Sequence, residues 1–503
     1  MTDVVSIDPR TGQTVEVVAQ ETSREEVERL CEAADAAVPA MERLGRAGRA
    51  RLLRGLADAL EGRREDIVEV ADRETALGAT RLNGELSRTT YQLRLFAEVL
   101  DEGSYLEVAI DHPGDTPMGP RPDLRRMLVP IGAVAVFGAS NFPLAFSVPG
   151  GDTASALAAG CPVVVKAHGS HPATSQLCFD VMRSALADLD APDATLGIVH
   201  GLEAGAVLVA HPAIKAVGFT GSSRGGQALV DIISGRPDPI PFYGELSSLN
   251  PVIVTPAAAE ERAEDLGKGL VGSFTLGAGQ FCTKPGLVFV PNGPAGDQVV
   301  TAMSKAISET TPQVLLNGGI AQSYLDTTER LSSQAGVEAL SAGTQATGEG
   351  YQVTPLLLAT QAKGMPAEVT EECFGPVSVV ARYDSADDLL EAVEKLPASL
   401  TTTLHVGADD AELPATVATK LESRTGRFVY NAYPTGVAVT WAQHHGGPWP
   451  STNSAHTSVG TSAIRRFLRP VAWQGAPEHL LPEELRDNGP AIPRRIDGVL
   501  VTP

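Results

Sequence analysis

Cys282 stands in GQFCTKPG (279–286), a loop bounded by glycines with apolar sequence close by on both sides. It is one of five cysteines, at 31, 161, 178, 282 and 373, in 503 residues. A cysteine in that setting can be a nucleophile, a metal ligand, half of a disulfide or a small buried apolar residue. Nucleophilic work needs a polar, partly exposed, donor-rich surrounding, and Gly277, Ala278, Gly279 and Thr283 are small enough to leave room for one. Five widely spaced cysteines without a CxxC pair fit neither a disulfide framework nor a zinc knuckle. Inert burial remains the ordinary state of a lone cysteine.

Other reactive side chains recur at the ends of apolar runs. Glu245, in FYGELSSLNP (242–251), is placed to act as a general base on water, or as a plain solvated loop glutamate. Asn141, in FGASNFP (137–143), offers an amide donor to a developing oxyanion, or closes an Asx-type turn. Lys166 ends PVVVKAH (162–168), where a lysine must snorkel, pair or meet a ligand. GFTGSSRGG (218–226) reads as strand, glycine turn and helix start, which suits a phosphate and equally suits an ordinary βα turn. His444, His445 and His456 lie in a segment that offers no carboxylate or cysteine beside them, so no metal is expected.

The chain behind these residues has a globular composition, with 43% apolar and 20% charged residues, and is long enough for two or three domains. Its 50 glycines favour an enzyme of tight turns over a helical scaffold. A net charge of −22 argues against nucleic acid and anionic membrane partners. The polar start MTDVVSIDPRTGQ and the lack of any long apolar run point to a reduced, soluble, cytoplasmic protein.

Helical periodicity fills the first hundred residues: a capping box, Ser23 with Glu26, then apolar positions from Val27, a second run over 49–78 and a third over 90–103. The texture then changes to short β-branched runs, GAVAVFG (132–138), PVVVKA (162–167), LGIVHG (196–201) and IKAVGFTG (214–221), alternating with helical patterns. This is the signature of an open, mostly parallel α/β sheet, which binds ligands at the carboxyl ends of its strands. New strand-like runs at 286–291, 351–360, 377–383 and 401–407 indicate a second α/β domain.

Taken together, Asn141, Lys166, Gly221, Glu245 and Cys282, in this order and these contexts, resemble the aldehyde dehydrogenase superfamily. The resemblance runs from about residue 6 to about 470 and continues through EECFGPVSVV (371–380). It implies a Rossmann-like dinucleotide-binding domain (1–108 and 131–248) and a catalytic domain carrying the cysteine (249–450). An oligomerisation arm with a C-terminal extension (109–130 and 451–503) is implied for a homodimer or homotetramer. Cys282 would attack the aldehyde, with Asn141 and the Cys282 backbone N–H holding the oxyanion. Hydride would pass to the cofactor, and Glu245 would activate water against the resulting thioester. Lys166 and Glu372 would hold ribose hydroxyls, Phe374 would pack by the nicotinamide ribose, and Gly221 and Ser222 would approach the pyrophosphate. CoA-acylating and phosphorylating members do without a water-activating glutamate, and a non-catalytic relative would have lost some of these residues.

Family members often carry an acidic residue three positions after the cofactor lysine. Here that position is Gly169, with His168 and His171 beside it, so NADP is favoured and NAD allowed. NFPLAFSVPGGDTASALAAGCPVVVKAHGSHPATS and GQFCTKPGLVFVP resemble the 2-oxoglutarate semialdehyde (2,5-dioxopentanoate) dehydrogenases and the related NADP-dependent long-chain enzymes. An acidic substrate needs a cation, for which Arg88 and Arg94 are candidates. Phe142, Phe146 and Trp449 would instead line a tunnel for fatty or aromatic aldehydes.

Overall fold

A computed structural model describes residues 2–503. Near the N-terminus a hairpin (Asp3–Asp8 with Gln13–Gln20) leads into α1 (Arg24–Arg43), whose N-cap Ser23 accepts from the Glu26 N–H as the capping pattern requires. The periodic run over 49–78 forms two helices rather than one, α2 (Gly45–Gly62) and α3 (Arg64–Thr75), because Arg63 leaves helical geometry (φ −117°) after Gly62. The next helix, α4 (Ala79–Glu102), starts well before residue 90, and its first turns carry residues of the site described below.

The first sheet is parallel: β1 (Val134–Phe137), β2 (Val163–Lys166), β3 (Leu196–Val199), β4 (Ala216–Thr220) and β5 (Phe242–Glu245), in the order β5-β4-β1-β2-β3. The chain winds outward from β1 in one direction and then in the other, which opens a crevice between β1 and β4. Alternate residues of one strand serve opposite layers. Val134 and Val136 pack with Leu53, Leu56 and Phe96, while Ala135 and Phe137 pack with Val27, Val207 and Leu208. Burial on both faces explains why these strands read as unbroken apolar runs. β5 is a strand that the sequence pattern did not announce.

The second sheet holds β6 (Val252–Val254), β7 (Leu287–Pro291), β8 (Glu338–Ala342), β9 (Leu356–Gln361), β10 (Val377–Tyr383), β11 (Ser399–His405) and β12 (Thr425–Tyr430), in the order β8-β9-β10-β7-β6-β11-β12. Only β8 runs antiparallel to its neighbour. A third sheet joins 468–474, 124–130, 109–111, 494–496 and 499–501, and a hairpin at 114–121 projects beside it. No described helix is long and apolar enough to cross a membrane.

Candidate active site

Glu245 is the last residue of β5, in register with Thr220 of β4, and is 1% exposed. Its other side is covered by the irregular segment 445–458: Leu246 N donates to Ser451 O at 2.8 Å, and Gly244 N to Asn453 Oδ1 at 2.8 Å. Cys282 reaches the same place from the second sheet, after the helix Pro256–Thr275. Its loop turns through left-handed geometry at Gly277 (φ +57°), Ala278 (+59°) and Gly279 (+67°). A Cβ on Gly279 would stand 2.2 Å from the Gly375 carbonyl, so only glycine lets this loop press against the FGP turn. Asn250 fixes the loop from below. Its Nδ2 donates to Cys282 O at 2.8 Å and to Lys284 O at 3.0 Å, and its backbone is left-handed (φ +55°).

Between the carboxylate and the thiol stands His445. Its Nε2 lies 2.9 Å from Glu245 Oε1 and 3.5 Å from Cys282 Sγ, and the ring is buried. Ser458 Oγ donates to Glu245 Oε2 at 2.7 Å, and the His445 N–H is held by Thr457 Oγ1 at 2.8 Å. The three reactive atoms lie within 4.8 Å of one another. The sequence reading passed over His445 because it offers no acidic or thiol partner nearby in sequence; folding supplies both, from positions 245 and 282. Nδ1 of His445 is buried without a partner. A lone pair is cheaper to leave there than an N–H, which assigns the proton to Nε2.

Electrostatics sets the thiol and the carboxylate apart. Burial raises the Cys282 thiol well above its ordinary value, and the Glu245 carboxylate adds to the rise, so the resting group is a thiol. Burial also pushes Glu245 upward, but the neighbouring His445 ring, the Ser458 hydroxyl and the Cys282 thiol outweigh it and hold the carboxyl below the usual range. The other four cysteines are buried, and burial pushes Cys31 up to about 12 and Cys161 and Cys373 up to about 11. Among the five cysteines Cys282 alone is partly exposed, and the Glu245 carboxylate lies beside it.

Asn141 follows β1 and is buried, with Nδ2 donating to Gln280 O at 2.7 Å. That bond uses one of its two amide hydrogens and ties the amide to the nucleophile loop. The Cys282 backbone N–H makes no backbone bond among the described residues. One face of α4 lines the approach with Arg81, Glu85 and Arg88. The Arg81 guanidinium stacks over Phe281 (4.7 Å) and Phe142 (4.9 Å), and Arg88 over Phe146 (5.0 Å). Glu85 accepts from Leu144 N and Ala145 N at 2.8 and 2.9 Å. Nη1 of both arginines is buried without an acceptor in the protein. The charge of Arg88 acts on Cys282 and Glu245, and burial lowers the Arg88 pKa. Arg427 of β12 also feels Cys282, and its Nε is buried without a partner.

Two expected substrate residues lie elsewhere. Arg94 is on another face of α4, because six residues turn the helix well away from Arg88, and its guanidinium pairs with Asp58 at 2.7 Å near the surface. Trp449 is 58% exposed and lines a separate open pocket of about 470 Å³ with His444, Pro448 and Asn453.

The carboxyl ends of the first sheet carry the residues expected at a dinucleotide. Lys166 ends β2, half-buried; Gly221 and Ser222 are exposed at the start of the helix Ser223–Ser234, where Ser222 Oγ accepts from Gly225 N at 3.1 Å. Gly169 is exposed, and a Cβ added there meets nothing within 4 Å. Glu372 and Phe374 are half-buried in the turn before β10, and burial pushes the Glu372 carboxyl up to about 7. His168 is the exception to its expected part. Its ring stacks on His171 (centroids 5.6 Å), Nδ1 accepts from Ser170 N, and burial holds it neutral, so it brings no charge to a phosphate. A parallel-sheet crevice with a lysine at one strand end and a helix N-terminus beside it fits a dinucleotide.

A partly exposed cysteine beside a buried histidine and glutamate and near an asparagine amide, between two α/β sheets, is suited to covalent acyl chemistry. The profile of the aldehyde dehydrogenase family matches residues 2–470, and the chain belongs to that family of oxidoreductases. It is 45% identical to alpha-ketoglutaric semialdehyde dehydrogenase 2 of Azospirillum brasilense over 98% of this chain and 95% of that one. It is 42% identical to alpha-ketoglutaric semialdehyde dehydrogenase of Acinetobacter baylyi, over 99% and 95%. Among solved structures, methylmalonate-semialdehyde dehydrogenase of Oceanimonas doudoroffii superposes with a TM-score of 0.81 at 21% identity, covering 95% of this chain and 96% of that one. An NAD+ complex of an aldehyde dehydrogenase from Bacillus cereus superposes with 0.80 at 22% identity, covering 94% of each. These structures share the fold.

Proposed function

We propose that this enzyme oxidises a short acidic aldehyde, 2-oxoglutarate semialdehyde, to 2-oxoglutarate with a nicotinamide dinucleotide. One observation carries the choice of an acid: two buried guanidinium nitrogens, on Arg81 and Arg88, lack acceptors on the approach to Cys282. Glu85 offsets only one of those two charges. A substrate carboxylate satisfies such donors, and the names of the two relatives above agree with it. The rings of Phe142, Phe146 and Phe281 also form an apolar wall, which supports oxidation of fatty or aromatic aldehydes as the second reading.

The chain's own groups divide the chemistry as follows. The Cys282 thiol gives its proton to the Glu245 carboxylate, which the His445 Nε2–H holds in place, and the thiolate adds to the aldehyde carbon. The Cys282 N–H and the second amide hydrogen of Asn141 hold the oxyanion of the thiohemiacetal. When bound, the nicotinamide supplies the hydride acceptor that leaves a thioester. Once its proton has left, Glu245 takes one from water, which hydrolyses the thioester to the acid. Lys166, Gly221, Ser222, Glu372 and Phe374 would hold the dinucleotide, NADP or NAD. The division into a dinucleotide domain, a catalytic domain and an arm serving a homodimer or homotetramer belongs to the same proposal, as does a cytoplasmic location.

The test is a panel of acidic and neutral aldehydes of matched length with wild type and Arg88→Met. Loss of a charge-assisted contact raises KM for the acidic aldehyde by roughly 10–100-fold. The neutral aldehyde should change little. Equal changes for both, or no preference for acids in the wild type, would overturn the acidic-substrate reading.

A further inference from the structure

Lys166 has no acidic side chain close behind it in sequence, but a carboxylate reaches it from the N-terminal segment. Between the hairpin and α1 the chain is tied to the end of β3. Thr22 N donates to His200 O at 2.9 Å, and His200 N donates to Thr22 Oγ1 at 2.8 Å. This places Glu21, half-buried, over the start of the helix Leu202–Ala210.

The glycines of that helix start show where the side chains lie. A Cβ on Gly201 would stand 3.0 Å from Glu21 Cγ and 3.1 Å from its Cδ. A Cβ on Gly205 would stand 3.3 Å from Lys166 Cγ. The stems of Glu21 and Lys166 therefore both lie against the beginning of this helix, with the Phe137 ring also against Gly205. Consistent with this, Glu21 is the carboxylate whose field favours the charge of Lys166 against burial.

The two histidines nearest Lys166 add no positive charge. His200 and His168 both feel Lys166; burial pushes His200 down to about 4 and His168 well below its ordinary value, so both are neutral. Glu203, in the first turn of the same helix, is a further acid. A carboxylate near a lysine suits the hydroxyls of a ribose, the carboxylate accepting from one and the ammonium donating to another, whereas a 2′-phosphate would meet the negative charge of Glu21.

We infer that Glu21, resting on the dinucleotide reading of this crevice, selects NAD over NADP by holding the adenosine ribose together with Lys166. A glycine at 169 therefore does not open the site to a 2′-phosphate, because the carboxylate arrives from position 21 instead.

Equilibrium binding of NAD+ and of NADP+ to the purified full chain, by calorimetry, tests this in wild type, Glu21→Gln and Lys166→Met. Thermal melting checks that each variant is folded, and the ratio of kcat/KM values is measured alongside. Wild type should bind NAD+ at least about tenfold more tightly than NADP+. Glu21→Gln should narrow the ratio by about tenfold, through tighter NADP+ and weaker NAD+, while Lys166→Met weakens both. An unchanged ratio in a folded Glu21→Gln, or a wild type that prefers NADP+, overturns the role of Glu21 and leaves the dinucleotide reading standing. A wild type that binds neither dinucleotide overturns both.

Discussion

Replacing His445 with phenylalanine tests its part in the site most directly. The ring is 1% exposed and fills a site beside Glu245 and Cys282, so a phenyl group of similar size keeps the packing and removes both nitrogens. Two contacts then disappear. Glu245 loses the Nε2–H donor 2.9 Å away, and Cys282 loses the ring nitrogen 3.5 Å from its sulfur. A hydrogen bond involving a charged group contributes about 1.5–3 kcal/mol, which corresponds to roughly 10–150-fold in rate. Alkylation of Cys282 by iodoacetamide, without substrate or cofactor, should slow by that factor near neutral pH. The pH dependence of turnover should move as well. With the histidine gone, burial is less opposed and the Glu245 carboxyl titrates at higher pH. Its base form is then lost earlier as the pH falls, and the acid limb of the profile shifts upward. An alkylation rate and an acid limb both unchanged from wild type would refute a role for His445 in the site.

Two further outcomes follow from the geometry. Glu245→Gln keeps the shape of a buried residue without its basicity, so it should give one turnover's burst of reduced cofactor and then a steady rate lower by roughly 10²–10⁴-fold; stopped-flow absorbance reads both phases. Gly279→Ala must place a Cβ against the Gly375 carbonyl at a left-handed residue, and should lower stability by about 1–3 kcal/mol with loss of Cys282 reactivity. Chemical denaturation together with thiol titration checks it.

The sequence by itself placed two of the candidate residues, Asn141 and Lys166, at or just after the ends of apolar strands, because such ends leave a local trace: a β-branched run, then a small or polar break. Cys282 stood out by its glycine-bounded loop and Glu245 by its small, polar surroundings, although the strand that ends in Glu245 was not legible. The family followed from their order along the chain, and the profile match over 2–470 agrees. The alternation of strand and helix likewise carried the α/β class, since doubly covered strands must be apolar throughout.

Only the tertiary structure decided which residues meet across distance. His445 lies in an irregular segment of low periodicity, and its partners are 200 and 163 residues away in the chain. Glu21 reaches Lys166 through a tie at His200, with nothing near position 166 to announce it. Arg88 and Arg94 look alike in sequence, yet helical rotation turns one toward the nucleophile and leaves the other on the surface with Asp58. Local pattern records what the backbone does at each residue, whereas the protonation, pairing and burial of a side chain depend on neighbours that only folding brings together.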